Sequence, residues 1–138
     1  VFSRDVLDSF LSICRIVEFS SGEMIAEQDQ FDQNVYFLLS GKVSVWRDKE
    51  KIALIGNKGD LFCEMVLIEE RERSASVAAE EKTVCLVFDA ILLDEMPPVE
   101  RDPILAILYR EISKLLAQRL RDMNEELIVL KKELRADL

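Results

Sequence analysis

Beyond Pro103 the chain runs for 35 residues without a glycine or a proline, and Ala, Leu, Glu, Lys and Arg dominate it. Glycine and proline are the strongest helix breakers and these five residue types the best formers, so residues 103–138 are predicted to be one long helix. Within it, Leu116, Leu120, Met123, Leu127, Leu130 and Leu134 alternate spacings of four and three, the apolar seam of a left-handed coiled coil. In that register Arg119, Glu126 and Glu133 occupy g positions and Asn124 and Lys131 e positions. A parallel second copy would then set Glu126 against Lys131. The seam predicts a homodimer; the alternative is a single helix packed entirely on its own domain. Before Leu116 the rhythm shifts to Leu105, Tyr109 and Ile112, suited to a helix covering a β-domain with a broader face.

The preceding residues have a different texture. All four glycines (Gly22, Gly41, Gly56, Gly59) lie before residue 60. Apolar spacing at Val6, Leu7, Phe10 and Leu11 predicts an opening helix over 3–12, with Ser3 as its N-cap. Short β-prone runs follow at 16–19, 35–39, 43–46, 51–55, 74–79 and 83–88, with Ser40-Gly41 read as a tight turn joining the second and third as a hairpin. Turns every 8–12 residues between such strands predict a β-sandwich or barrel. Pro97, Pro98 and Pro103 mark 97–103 as a joint, because proline fixes φ and tends to end a helix. The organisation expected is a mainly-β domain with an N-terminal helix over 1–102, then a dimerisation helix over 103–138.

Composition narrows the chemistry. The 138 residues contain no histidine, which removes Ser-His-Asp and Cys-His catalysis and every His-ligated metal site. No catalytic activity, cofactor or metal is expected. Cys14, Cys63 and Cys85 are odd in number, widely spaced and free of any CxxC pair, so a reducing cytoplasm is the expected compartment. No apolar run approaches the ~20 residues needed to cross a bilayer, and no signal peptide opens the chain. The first residue is Val1 rather than Met, which reads as a piece of something longer. Net charge is −9, with residues 1–102 at −10 and 103–138 at +1. Acidity of this size opposes binding to phosphate backbones, so no direct nucleic-acid or membrane contact is expected of this fragment.

One segment carries chemistry: Gly59-Asp-Leu-Phe-Cys-Glu-Met-Val-Leu-Ile-Glu-Glu-Arg-Glu-Arg-Ser-Ala-Ser76. A glycine turn leads into a short apolar stretch holding one acid, Glu64, and nine residues later Arg73 heads a predicted strand. Arginine offers a rigid fork of donors suited to phosphate, and backbone N–H groups opening a short helix add to an anion site. A carboxylate accepts hydrogen bonds from sugar hydroxyls. One acid and one arginine on a β-scaffold make a receptor for a small phosphorylated sugar. The competing reading is a structural Glu64–Arg73 ion bridge with no ligand.

The run resembles the phosphate-binding cassette of cyclic-nucleotide-binding domains, whose usual form is Phe-Gly-Glu-Leu-Ala-Leu followed by Arg-(Ala/Thr/Ser)-Ala. The similarity extends to Ser21-Gly-Glu-Met-Ile-Ala-Glu27, to Tyr36-Phe-Leu-Leu-Ser-Gly-Lys-Val-Ser-Val45, the family's hairpin, and to Lys58-Gly-Asp-Leu-Phe62. The last helix resembles the dimerising helix of bacterial catabolite-activator-type regulators. The resemblance implies a β-roll of the jelly-roll type with flanking helices, a cyclic AMP or cyclic GMP effector, and a signal passed to an output module such as a transcription regulator. It also implies that Glu64 meets the ribose 2′-hydroxyl and Arg73 the cyclic phosphate. Ser74 adds a hydroxyl, the Met65–Val66 backbone faces the phosphate, and Phe62 and Cys63 flank the site.

Two positions depart from the pattern. The family's glycine before the acid is Cys63, and its small residue two places after the acid is Val66. Glycine permits positive φ and close backbone approach, which a Cβ opposes. A degenerate module that only dimerises therefore stays open as an alternative. A cupin-type enzyme, also a short-stranded barrel, generally needs the histidines this chain lacks. Trp46, Phe37 and Phe62 are read as core residues, Glu69-Glu70-Arg71-Glu72 as a solvated loop, and Cys14 and Cys85 as small buried apolar residues.

Overall fold

The computed structural model describes residues 4–69 and 71–137; the Ser3 cap lies outside them. The described chain divides into two compact units, one ending at Arg101 and the other starting at Asp102. The first opens with helix α1 (Arg4–Ser12), which buries Phe10 while Leu7 and Leu11 stay exposed. Eight strands follow: β1 (Cys14–Phe19), β2 (Met24–Ala26), β3 (Asn34–Ser40), β4 (Val43–Arg47), β5 (Glu50–Ile55), β6 (Leu61–Phe62), β7 (Ser76–Ala79) and β8 (Thr83–Asp89). They form two antiparallel four-stranded sheets, ordered β1-β8-β3-β6 and β2-β7-β4-β5. This is the mainly-β roll that the glycine-punctuated short strands predict.

Between the sheets lies a core of Phe19, Ala26, Tyr36, Leu38, Val43, Phe62, Val77, Ala79, Cys85 and Val87. Side chains alternate faces along a strand, so Val43 points inward while Ser44 and Trp46 take the other face. Phe10 of α1 meets Phe88 of β8 edge-to-face at 5.1 Å, which seats the first helix on the first sheet.

Two expectations need correction. Residues 35–39 and 43–46 are not a hairpin, because β3 pairs with β8 and β6 while β4 pairs with β5 and β7. At Gly41 the chain instead crosses from one sheet to the other. Its φ is +96°, and a Cβ there would stand 2.5 Å from the Lys82 carbonyl oxygen, so only glycine fits. The joint expected at 97–103 is helical: α3 runs from Pro98 to Ala136 with Pro103 inside it. Pro98 opens that helix, where a missing N–H costs nothing, while Pro103 forfeits the bond to the Val99 carbonyl and its ring crowds that carbonyl. Ahead of it a short helix, α2 (Ala90–Asp94), follows β8 and is capped by the Asp89 carboxylate, which accepts the Ile91 N–H at 2.8 Å.

Along α3 itself, Ile104, Leu108 and Ile112 are buried at four-residue spacing. Further on, Leu120, Met123, Leu127, Leu130 and Leu134 are each about half exposed or more. Among the described residues no helix is long and apolar enough to cross a membrane.

Candidate ligand site

The cassette begins where β6 pairs with β3, Phe62 opposite Tyr36 and Leu61 opposite Phe37. Bonds from Leu38 N–H to the Asp60 carbonyl and from Gly59 N–H to the Leu38 carbonyl fix the approach. Phe62 is fully buried, its ring stacked on Tyr36 at 5.0 Å and 5° between planes. It is the floor under the cassette, not an open binding surface.

Cys63 comes next, at φ +61° and ψ +27°. A left-handed conformation, which glycine adopts freely, is held here by a residue with a Cβ, at a strain of about 1–2 kcal/mol. The turn delivers the chain into a short 3-10 helix, Glu64–Leu67, closed by Ile68 and Glu69 N–H groups donating to the Met65 carbonyl at 2.9 Å each. Glu64 is 2% exposed, Val66 half-buried and Met65 exposed. Burial pushes the Cys63 thiol up to about 12, against the opposing pull of the nearby Arg73 guanidinium. A thiol so protonated is not a nucleophile at neutral pH.

Arg73 is not at the head of a strand, since β7 starts only at Ser76. It lies in the approaching loop, held through its own backbone: its N–H donates to the Gln30 carbonyl and its carbonyl accepts from the Asp29 N–H, both at 2.8 Å. The side chain is 8% exposed. Nη1 donates to the Cys63 carbonyl at 2.9 Å and Nη2 to the Asn34 carbonyl at 2.6 Å. Nε donates to Asp32 Oδ2 at 3.2 Å, and Nη2 makes a close charge-assisted bond to Asp32 Oδ1. Burial alone would lower the arginine pKa; hydrogen bonding to Asp32 and the neighbouring anions outweigh it and hold the pKa above its ordinary value.

The Arg73 guanidinium thus lies against the carbonyl of Cys63, the residue before Glu64. Arg73 forms an ion pair with Asp32, a residue that the competing structural-bridge reading did not name. Sequence reasoning passed over Asp32 because it lies 41 residues from Arg73, in a loop without periodicity. A local signal does exist in Asp32-Gln-Asn34: the Asn34 N–H donates to Asp32 Oδ1 at 3.0 Å, a turn that Asp and Asn favour. Ser74, also read as a ligand contact, is exposed on the next residue of the loop.

A separate open groove of about 770 Å3 covers the other face of the second sheet, lined by Ser44, Trp46, Gln28, Asp48 and Ser76 among others. Trp46 is therefore not a core residue. Its Nε1 donates to Ser44 Oγ at 2.8 Å and Lys51 lies 5.9 Å from its ring centre. None of the residues read as ligand contacts, from Phe62 to Val66 with Arg73 and Ser74, lines this groove. No group of three or more potential metal ligands is found among the described residues.

Two sheets rolled on one core, with a glycine-type turn, a one-turn helix and a buried arginine between β6 and β7, define the class of catabolite-activator-like β-rolls. The chain belongs to the cyclic nucleotide-binding domain family, whose model matches residues 16–96. A cyclic AMP receptor protein of Thermus thermophilus is 36% identical over 117 residues, which is 81% of this chain and 51% of that protein. A cGMP-dependent protein kinase of Plasmodium berghei is 36% identical over 72 residues, 52% of this chain and 8% of the kinase. The crystal structure of the Thermus thermophilus catabolite activator protein matches with a TM-score of 0.71 at 31% identity, covering 94% of this chain and 61% of that one. The chain spans about half the length of the curated relative it resembles over most of its own length.

Proposed function

We propose that this chain is a regulatory sensor that binds cyclic AMP or cyclic GMP through the 59–76 cassette and dimerises through α3. Arg73 takes the cyclic phosphate, Glu64 the ribose 2′-hydroxyl, and the Met65–Val66 backbone and Ser74 complete the contacts. The observation that carries the reading is the Arg73–Cys63 hydrogen bond, which places the guanidinium beside the acid's own peptide. Binding works by population shift: the nucleotide favours one arrangement of cassette and helix and so biases an attached output module. Relatives named as a cyclic AMP receptor and a cyclic-GMP-dependent kinase support a nucleotide effector and an attached output module. Catalysis and DNA contact are assigned to neither unit. The exposed apolar seam from Leu120 to Leu134 supports the homodimer, since a matching seam would cover it.

Calorimetry with both nucleotides tests the ligand. Wild type should give saturable heat, and Arg73→Lys, which keeps the charge but loses the fork, should bind at least tenfold more weakly. Absence of heat with either nucleotide up to millimolar concentration, from the wild type and from a variant that removes the Asp32 charge, refutes the nucleotide and leaves the fold standing. That outcome would favour the second reading, a dimerisation module without ligand, for which the strained Cys63 and the internally satisfied Arg73 are the specific observations.

A further inference from the structure

We propose that Asp32 is a built-in surrogate for the ligand's phosphate, a carboxylate that competes for Arg73 and thereby sets the receptor's affinity. The inference rests on the nucleotide reading above and concerns the same site. A guanidinium has five N–H donors. Four hydrogen bonds already leave Arg73: two to Asp32, one to the Cys63 carbonyl and one to the Asn34 carbonyl. Two-point capture of a phosphate requires two donors, so one existing acceptor must let go.

The three acceptors are not equally able to leave. The Cys63 and Asn34 carbonyls are fixed, one in the turn after β6 and one at the start of β3. Pulling either from the guanidinium strands a main-chain oxygen beside a buried side chain. Asp32 is a third exposed and sits on the loop between β2 and β3, so its carboxylate can turn into water and be solvated there at little cost. A carboxylate also presents the same paired-oxygen edge as a phosphate, so the two anions suit one fork and repel each other if both approach it. Nucleotide entry is therefore an exchange of anions on Arg73, with the Asp32 carboxylate turned into water as the nucleotide arrives.

The test is calorimetric titration with cyclic AMP and cyclic GMP of wild type, Asp32→Asn and Asp32→Glu at one salt concentration. Asp32→Asn keeps the oxygen that caps the Asn34 N–H, loses the charge and turns the acceptor facing Arg73 Nε into an amide donor. It should bind at least tenfold more tightly, the scale of one charge-assisted hydrogen bond. Asp32→Glu keeps the charge and should stay near wild type. Asp32→Ser, which also retains a capping oxygen, replaces the Asn variant if circular dichroism shows that one unfolded. Should the wild type bind while the charge-free variants bind equally or more weakly, the surrogate is refuted and the nucleotide reading stands. If neither nucleotide binds any variant, both are refuted. Binding by Asp32→Asn where the wild type shows none would support both.

Discussion

Replacing Gly41 by alanine should be among the most damaging single-methyl additions this roll can receive, and the structure separates its two causes. The first is conformational: at φ +96° any L side chain is strained by about 1–2 kcal/mol. The second is contact. The new Cβ would meet the Lys82 carbonyl oxygen at 2.5 Å, Thr83 Oγ1 at 2.6 Å and Thr83 Cα at 2.7 Å. These atoms cannot retreat easily. Thr83 is fully buried and its Oγ1 donates to the Glu81 carbonyl at 2.8 Å and bonds Lys42 on the other side. Overpacking against such a wall costs about 1–3 kcal/mol. The total, about 2–5 kcal/mol, is a large share of the ~5–15 kcal/mol that holds a domain folded. Gly22 supplies the control, with φ +84° and no atom within 4 Å of an added Cβ, so Gly22→Ala carries the first cause alone. At about 4 °C per kcal/mol, Gly41→Ala should melt about 8–20 °C below wild type and Gly22→Ala only about 4–8 °C. Equal losses in the two variants would refute the crossing geometry assigned to residue 41.

Two further outcomes follow from burial and from the seam. Cys14 and Cys85 are pushed up to about 11, and Cys63 and Tyr36 to about 12, by burial first of all. A group whose folded pKa is raised stabilises fully below its unfolded value and loses that contribution as pH climbs toward the folded one. Urea midpoints should therefore be level up to about pH 8 and fall between about pH 9 and 12. A midpoint that rises over that window would contradict the burial of these groups. Leu127→Glu puts a charge into the predicted apolar seam, and sedimentation at micromolar concentration should change from dimer to monomer with the melting temperature of the roll little altered. A wild type that already sediments as a monomer would remove the coiled-coil pairing.

What the sequence made legible depended on the range of the physics involved. Strands β3, β4, β5 and β8 announce themselves because alternation and turn residues are local. The cassette is legible because its glycine turn, acid and arginine lie within eighteen residues. Strand β6 is only two residues long and β2 three, too short for any period to register. The crossing at Gly41 has the same residues as a hairpin turn, and only the pairing of β4 with β7, more than thirty residues away, tells them apart. Asp32 escaped notice for the same reason. The expectation that a Cβ at 63 opposes positive φ was sound chemistry, but the surrounding bonds impose the conformation and the cysteine bears the strain.

Arg73 joins three stretches of chain, at 29–34, at 63 and at its own loop, through both its main chain and its side chain. An arginine with that many obligations would be retained by a lineage that had abandoned its effector long ago, because discarding it would unfasten the scaffold. Its presence in a relative is therefore a poor diagnostic of a working receptor. The informative positions are those the scaffold does not need, such as the outward-facing Ser74, whose upkeep over generations only a visiting molecule would enforce.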